Sequence, residues 1–238
     1  MTPSPVLDAV RRRLDGAQRV DVSRRKIALS FDRGVLTMEG ELADVGAKRI
    51  ALERAAAVPG VDHIVDRLRV APARRMSDAE IRDHVRDLLL DEPELQPIAR
   101  ATPASTSGEA LRPDVVLGTI GLSAHDGVVT LDGTVPSLAQ KRLAGVLAWW
   151  VPGVRDVVNG LEVVPPEDDD DGEISDAVRL ALEKDPLVDS SEVSVSTRAA
   201  VVTLRGVVLC DVEREAAERD AWCVFGVDGV RNDIEVRR

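Results

Sequence analysis

Aromatic and sulfur-containing side chains are scarce in this 238-residue chain. It has no tyrosine, two phenylalanines and three tryptophans, so its cores must be built from Val, Leu, Ile and Ala. Such residues suit several small, thin layers better than one deep interior. The two cysteines, Cys210 and Cys223, lie near the ends of one predicted helix, about 20 Å apart at 1.5 Å per residue. That separation excludes a disulfide between them.

Long apolar runs are also missing. No stretch reaches the roughly 18 consecutive apolar residues of a membrane-spanning helix, and the N-terminal segment lacks the apolar region of a signal peptide. We therefore predict a cytoplasmic protein without a transmembrane segment. The net charge of −11 argues against nucleic acid as a partner. The charge is uneven, because residues 1–72 hold 13 Lys+Arg against 10 Asp+Glu, whereas residues 166–238 hold 9 against 19.

Residues suited to catalysis or metal binding are few. The three histidines, His63, His84 and His125, fall in different predicted elements and at unrelated repeat positions. Paired-cysteine, HExxH and phosphate-loop motifs are absent from the sequence. We therefore predict a protein that is not an enzyme and needs no cofactor or metal. The acidic run 168–171 has two interpretations, a solvated spacer that caps a helix or a divalent-cation site. Its spacing favours the spacer.

An internal repeat dominates what is present. Three segments align without a gap: GVLTMEGELADVGAKRIALERAAAVPGVDHIVDRLRV, GVVTLDGTVPSLAQKRLAGVLAWWVPGVRDVVNGLEV and AVVTLRGVVLCDVEREAAERDAWCVFGVDGVRNDIEV. Constant offsets of 93 and then 73 residues relate them. They align six structural repeat glycines: Gly40, Gly60, Gly133, Gly153, Gly206 and Gly226. A register kept over this length three times indicates copies of one module.

Each copy has the pattern of one small fold. Alternating apolar residues around a tight turn predict two hairpin strands. A helical stretch follows, and then a last strand with an apolar row. An amphipathic helix precedes each hairpin, and Ser77–Glu80 resembles a capping box at the start of the second of these. The third turn, at Ala199-Ala200, lacks the glycine of the others and should be less comfortable at positive φ.

These patterns predict the α+β fold class, with three tandem αββαβ modules. Each module should form a three-stranded mixed sheet with two helices on one face. The predicted modules are residues 1–71, 77–165 and 172–238, and the second carries a long loop at about 91–114. The hairpin motifs GVLTMEG, GVVTLDG and AVVTLRG, together with VPGV and VVNGLEV, resemble the BON domain family. Departures occur where Asp66-Arg67 replaces Asn-Gly and where Phe225 replaces proline.

The resemblance implies binding through surfaces rather than catalysis, commonly at phospholipid membranes and in osmotic or envelope stress. The candidate anion- or lipid-binding residues are Arg11, Arg12, Arg13, Arg19, Arg24, Arg25 and Lys26. The candidate aromatic contacts are Trp149, Trp150 and Trp222, for which core or inter-module packing is the alternative. The expected function is binding of anionic membrane surface or partner proteins, with self-association left open. The alternatives are a protein-interaction scaffold without a lipid role, or a module that senses a small ligand or ion.

Overall fold

The computed structural model describes residues 4–17, 19–20, 27–96 and 120–237. Within these ranges the chain forms the expected αββαβ module three times, and we call these copies the first, second and third modules. They fall into two compact units, one made chiefly of residues 1–71 and the other chiefly of residues 72–238. The second and third modules therefore share one unit. The part of the 91–114 insertion beyond residue 96 lies outside the described residues.

The first module consists of α1 (Pro5–Asp15), β1 (Ala28–Asp32), β2 (Val35–Leu42), α2 (Val45–Ala56) and β3 (His63–Val70). β2 pairs antiparallel with β1 and parallel with β3, which gives the mixed sheet order β1-β2-β3. Leu36 and Met38 are buried on one side of β2, because alternate strand residues face the same side. Val10, Leu14 and Ala51 of the helices join the same core. Both helices therefore cover one face, as predicted.

The second module consists of α3 (Asp78–Asp91), β4 (Ile120–His125), β5 (Val128–Val135), α4 (Leu138–Trp150), β6 (Asp156–Asn159) and β7 (Glu162–Val163). β4 is antiparallel to β5, whereas β6 and β7 are both parallel to it. The sequence predicts one continuous last strand, but the structure divides it at residues 160–161. The predicted capping box is present, because Ser77 accepts from the Glu80 backbone at 3.3 Å and donates its own N–H to the Glu80 carboxylate at 2.7 Å.

The third module consists of α5 (Asp171–Lys184), a 3₁₀ turn (Ser190–Glu192), β8 (Val193–Arg198), β9 (Val201–Val208), α6 (Asp211–Cys223) and β10 (Gly229–Val236). Its sheet has the order β10-β9-β8. Gly206 has a φ of 152°, and a Cβ there would lie 1.9 Å from the backbone oxygen of Glu192. This repeat position therefore requires glycine. Both cysteines are free thiols, with Cys223 buried and Cys210 exposed.

One side chain shapes the last strand in all three modules. Asp66, Asn159 and Asn232 occupy equivalent positions, and each accepts a hydrogen bond from the backbone N–H two residues later, at 2.8, 3.3 and 3.2 Å. The two asparagines also donate to a backbone carbonyl of the adjacent helix, at 2.7 and 3.1 Å. Asp66 cannot donate in this way and instead pairs with Lys48 at 2.9 Å. The local turn is therefore kept although Asp66 replaces the asparagine of the other two modules.

The third hairpin turn adopts the strained conformation that its sequence suggests. Ala199 and Ala200 both have positive φ, 50° and 59°, a region that residues with a Cβ rarely adopt. The carboxylate of Asp171, the first residue of α5, accepts from the backbone N–H groups of both alanines, at 2.7 and 2.9 Å. These two bonds stabilise a turn that lacks glycine.

Candidate functional site

The basic residues of α1 are exposed but point in different directions. Arg11, Arg12 and Arg13 are consecutive, and successive helix residues are rotated by about 100°, so the three side chains spread over more than half of the helix circumference. Arg11 lies 3.3 Å from the carboxylate of Asp8 one turn earlier. Arg12 and Arg13 are in the last turn, where positive charge interacts favourably with the helix dipole. These three arginines form the exposed basic surface of α1.

Arg19 does not belong to that surface. Its Nε lies 3.1 Å from Oδ1 of Asp44, and both side chains are about one-third exposed. Asp44 is also the N-cap of α2, where it accepts from the Ala47 backbone at 2.8 Å. Arg19 is therefore held in the first module by a cap residue. Arg24, Arg25 and Lys26 lie outside the described residues.

The exposed sheet face of the first module carries hydroxyl groups without a histidine beside them. An open hollow of about 520 Å³ is lined by Ser30, Phe31, Asp32, Arg33, Val35 and Thr37. His63 is opposite Val35 on β3, so it is two strands, or roughly 10 Å, from Ser30 and Asp32 on β1. That distance is far beyond hydrogen-bond reach. The face therefore lacks the geometry of a serine–histidine–aspartate site.

The three tryptophans are packed in the second unit rather than grouped on an exposed surface. Trp149 and Trp150 end α4, are partly buried and lie against the core of the second module. Trp222, the repeat equivalent of Trp149, is buried in α6. The Nε1 of Trp150 donates to Oδ1 of Asp220 at 2.9 Å. The indole of Trp150 thus connects the second module to the third.

Asp220 is an ionisable group that the sequence analysis did not identify. It has no exposed surface. Burial, and then a hydrogen bond that protonated Asp220 donates to the neighbouring carboxyl of Asp185, raise the pKa of Asp220 to about 8. A carboxyl group with such a pKa holds its proton at neutral pH. The repeat alignment contains a signal for the burial of Asp220, because the equivalent residue of the second module is the buried Leu147.

A buried arginine also joins the second and third modules. Arg142 of α4 has no exposed surface, and its Nε donates to the backbone oxygen of Phe225 at 3.0 Å. One terminal nitrogen lies 2.5 Å from Oδ1 of Asp169. Lys141 lies above the Phe225 ring, with its Nζ 5.4 Å from the ring centre. The acidic run therefore contributes a partner to a buried cation.

The rest of the acidic run caps α5, as the spacer interpretation expects. Asp170 is the N-cap and accepts from the backbone N–H groups of Gly172 and Glu173, at 2.7 and 3.0 Å. Asp171 holds the third hairpin turn. Three of the four aspartates in the run thus have structural partners within the second unit.

A further ion pair connects the same two modules. Nζ of Lys184, at the end of α5, lies 2.8 Å from Glu92 and 3.3 Å from Glu94. Burial opposes ionisation of Glu92, but hydrogen bonds from Lys184 and the Glu94 backbone outweigh it and lower the pKa of Glu92. The bond to Glu92 in turn raises the pKa of Lys184. Both groups are therefore held in their charged forms.

One group of side chains in the described residues brings ligand atoms within reach of a common metal ion: Asp78, His125 and Asp126. Both carboxylate oxygens of Asp78 are already engaged, since they accept from the N–H groups of Gly127 and Asp126 at 2.9 Å each. The bonds from Gly127 and Asp126 lower the pKa of Asp78. Asp171 makes the same contacts in the third module without a histidine. The arrangement is therefore a repeated tether between helix and hairpin.

An exposed apolar surface distinguishes the third module. It consists of Val207, Leu209 and Val212, of which Leu209 is 73% exposed. The equivalent residues are Glu41, Ala43 and Gly46 in the first module, and Thr134, Pro136 and Ala139 in the second. Apolar side chains exposed together often mark a protein contact. We call these three residues the β9–α6 apolar surface.

Across the described residues, no helix is long and apolar enough to span a bilayer.

Comparisons with known proteins agree with the repeat. The family model for the BON domain matches residues 6–72, 113–165 and 170–238. The osmotically-inducible protein Y of Escherichia coli (strain K12) is 32% identical over 124 residues. That match covers 50% of this chain and 62% of the relative, so the chain matches less than two thirds of that protein's length.

Two solved structures of CdsD, a structural protein of the type III secretion system of Chlamydia trachomatis, also match. Its C-terminal domain is 12% identical with a TM-score of 0.26, over 100% of both chains. The second structure is 13% identical with a TM-score of 0.26, over 98% of this chain and 92% of that one. Scores at this level carry no structural argument. The matches to the family model do establish the family, because they cover three segments that together make up most of the chain. This protein belongs to the BON domain family.

Proposed function

We propose that this chain is a non-enzymatic BON-repeat protein that binds anionic membrane surface through its first module. Residues 1–71, 77–165 and 172–238 act as its three modules in this proposal. The observation that carries it is the exposed basic surface of α1, Arg11, Arg12 and Arg13, on the third of the chain with a surplus of cations. Each arginine near an anionic bilayer contributes about 1 kcal/mol. The cytoplasmic location is part of the same proposal.

Three observations support surface binding over catalysis. His63 is two strands from the hydroxyl and carboxylate groups of β1. His84 is exposed and its Nδ1 lies 2.7 Å from the backbone oxygen of Glu80. His125 is exposed in a hairpin turn beside Asp126. None of these imidazoles lies in an enclosed site where it would activate a nucleophile.

A vesicle sedimentation assay with the full chain tests the lipid proposal. Vesicles of phosphatidylglycerol and phosphatidylcholine should sediment the protein at low salt, whereas phosphatidylcholine alone should not. Replacing Arg11, Arg12 and Arg13 by glutamate should weaken binding by about 100-fold or more, since about 3 kcal/mol of attraction is lost. The matched control changes Arg75, Arg82 and Arg86, which are exposed just before the second module or on its first helix, to glutamate. Equal losses in the two variants would show that net charge, and not α1, determines binding.

The similarity to the osmotically-inducible protein Y supports a role in osmotic or envelope stress. Such a role predicts that the amount of the protein rises after an osmotic upshift. Immunoblots of the native host before and after the shift measure it. An unchanged amount would contradict the stress assignment while leaving lipid binding unaffected.

A protein-interaction scaffold is the second candidate, and the β9–α6 apolar surface favours it. This candidate predicts that the full chain binds a protein partner through the third module and that Leu209→Glu abolishes that binding. Crosslinking in the native host, with a photoreactive residue at Leu209 or at the equivalent Pro136, tests it. Crosslinks of equal yield from both positions would contradict a specific docking surface.

A further inference from the structure

Three helices meet where the second and third modules pack together. α4 belongs to the second module, and α5 and α6 belong to the third. Asp220 on α6 is at this junction and has no exposed surface. Its Oδ1 accepts from Nε1 of Trp150 on α4 at 2.9 Å. One carboxylate oxygen of Asp220 is therefore accounted for by a bond between modules.

The carboxyl group of Asp220 also interacts with another carboxyl group. No donor among the described residues reaches Oδ2. The carboxyl group that interacts with Asp220 is that of Asp185, the nearly buried C-cap of α5. Oδ1 of Asp185 already accepts from the Leu187 backbone at 2.9 Å. Two adjacent carboxylates cannot satisfy each other, since both only accept, whereas one proton between them turns the pair into a donor and an acceptor.

We propose that Asp220 and Asp185 share one proton and that this proton is a pH-sensitive latch between α5 and α6 at the junction of the second and third modules. With the proton in place, Asp220 donates to Asp185 and accepts from Trp150, so all three helices are bonded at one point. Without it, two negative charges face each other inside a dry junction. Repulsion between them then favours separation of α5 from α6, the two helices that carry them.

The surrounding charges leave the pair without strong compensation. Arg219, on α6 itself, is exposed and favours the ionised form of Asp220 only weakly, as the last of the contributions to its pKa. α4 contributes the neutral indole of Trp150. Lys184, next to Asp185 in sequence, is engaged by Glu92 and Glu94. Burial and Asp185 therefore dominate the titration of Asp220, which occurs near pH 8 rather than near the ordinary value of 3.8.

Carboxyl-carbon NMR of the full chain, labelled with ¹³C-aspartate, measures the proton directly. The Asp220 resonance, assigned by its loss in Asp220→Asn, should titrate with a midpoint near 8. Asp185→Asn removes the facing charge and should lower that midpoint by at least one pH unit. A wild-type Asp220 midpoint between pH 3 and 5 would overturn the proposal, as would a midpoint unmoved by Asp185→Asn.

Amide hydrogen exchange, corrected for intrinsic rates, tests the latch itself. In the wild type, protection at the C-terminal ends of α5 and α6 should fall at least 10-fold between pH 6 and pH 9. Asp220→Asn should keep its protection at both values, because the amide still accepts from Trp150 and donates to Asp185. Glu215→Gln, an exposed change on the same helix, should behave as the wild type. If Asp220→Asn loses protection as the wild type does, or if the wild type loses none, the latch does not exist.

Discussion

The second and third modules share a fold but differ in what they place at equivalent positions. Leu147 of α4 and Asp220 of α6 are 73 residues apart in the repeat register, and both are buried. The leucine lies in the apolar core of its module. The aspartate bonds to Trp150 in the neighbouring module. Equivalent positions of the same fold thus hold a core residue in the second module and a residue that contacts the neighbouring module in the third.

The hairpin turns differ in the same way. Asp126 and Gly127 form the turn in the second module, with φ values of 51° and 75°. Ala199 and Ala200 form it in the third, at similar φ but without glycine. In both modules an aspartate at the start of the preceding helix accepts from the turn. A helix-to-hairpin tether therefore lets the third module keep a turn that its own residues disfavour.

The largest effect is expected at Arg142. Arg142→Ala should lower the free energy of unfolding of the second unit by about 3–5 kcal/mol, because it removes a buried cation and leaves the Phe225 carbonyl without its donor. Arg142→Met, which fills the same volume without charge, should cost less. Urea denaturation compares the two variants with Arg86→Ala on an exposed part of α3. A loss below 1 kcal/mol in Arg142→Ala would show that the arginine does not hold the modules together.

The pH dependence of stability should differ between the wild type and Asp220→Asn. Since the folded pKa of Asp220 is raised to about 8, its contribution is fully present below the unfolded value, near 4, and is lost as pH rises through about 8. Relative to the wild type, Asp220→Asn should therefore gain up to about 5 kcal/mol between pH 4 and pH 9, since each unit of pKa shift corresponds to about 1.4 kcal/mol. Thermal and urea unfolding at several pH values check this. A constant difference across the range would mean that Asp220 does not titrate there.

Removing the tether should affect the two hairpins unequally. Asp78→Ala and Asp171→Ala each remove two hydrogen bonds to a turn, at a cost of about 1–2 kcal/mol. The loss should be larger for Asp171, because Ala199 and Ala200 then keep their strained φ without support. Hydrogen exchange of the turn amides and urea denaturation compare the variants. An equal or smaller loss for Asp171 would contradict the role assigned to the tether.

The smallest effects on stability are expected from substitutions in the hairpin turns of the second and third modules. Ala200→Gly should stabilise the third module by about 1 kcal/mol, because glycine adopts positive φ without strain. Gly127→Ala should destabilise the second module by at least as much, since its Cβ would also lie 2.8 Å from Cδ of Arg155. Equilibrium unfolding of both variants tests the pair. If both substitutions stabilised the protein, or both destabilised it, the comparison of the two turns would be contradicted.

Much of the fold could be predicted because it depends on local periodicity. Alternation on β2, helical spacing on α3 and the constant repeat offsets indicate the elements and their order, and the structure confirms the α+β class. The division of the last strand of the second module was not predicted. The break falls at Gly160, where the first and third modules have Arg67 and Asp233 and their last strands are continuous, and glycine inside a strand weakens it.

The candidate site was less predictable because it depends on contacts between distant residues. Arg19 looks like a free cation in the sequence, yet its partner Asp44 is 25 residues away. Arg142 and Asp220 are buried only because two modules pack together, which the pattern of one module does not show. The repeat alignment still contained a signal, because the third module has an acidic residue, Asp220, at the position where the second module has the buried Leu147.

The central claim is that the second and third modules form one cooperative unit joined by buried polar groups. Native-state hydrogen exchange of the full chain tests it most directly, by comparing the opening free energies of the core amides in α4 and α6. They should be equal in the wild type and should separate in Arg142→Ala. Different opening free energies already in the wild type, with no change in the variant, would contradict the account.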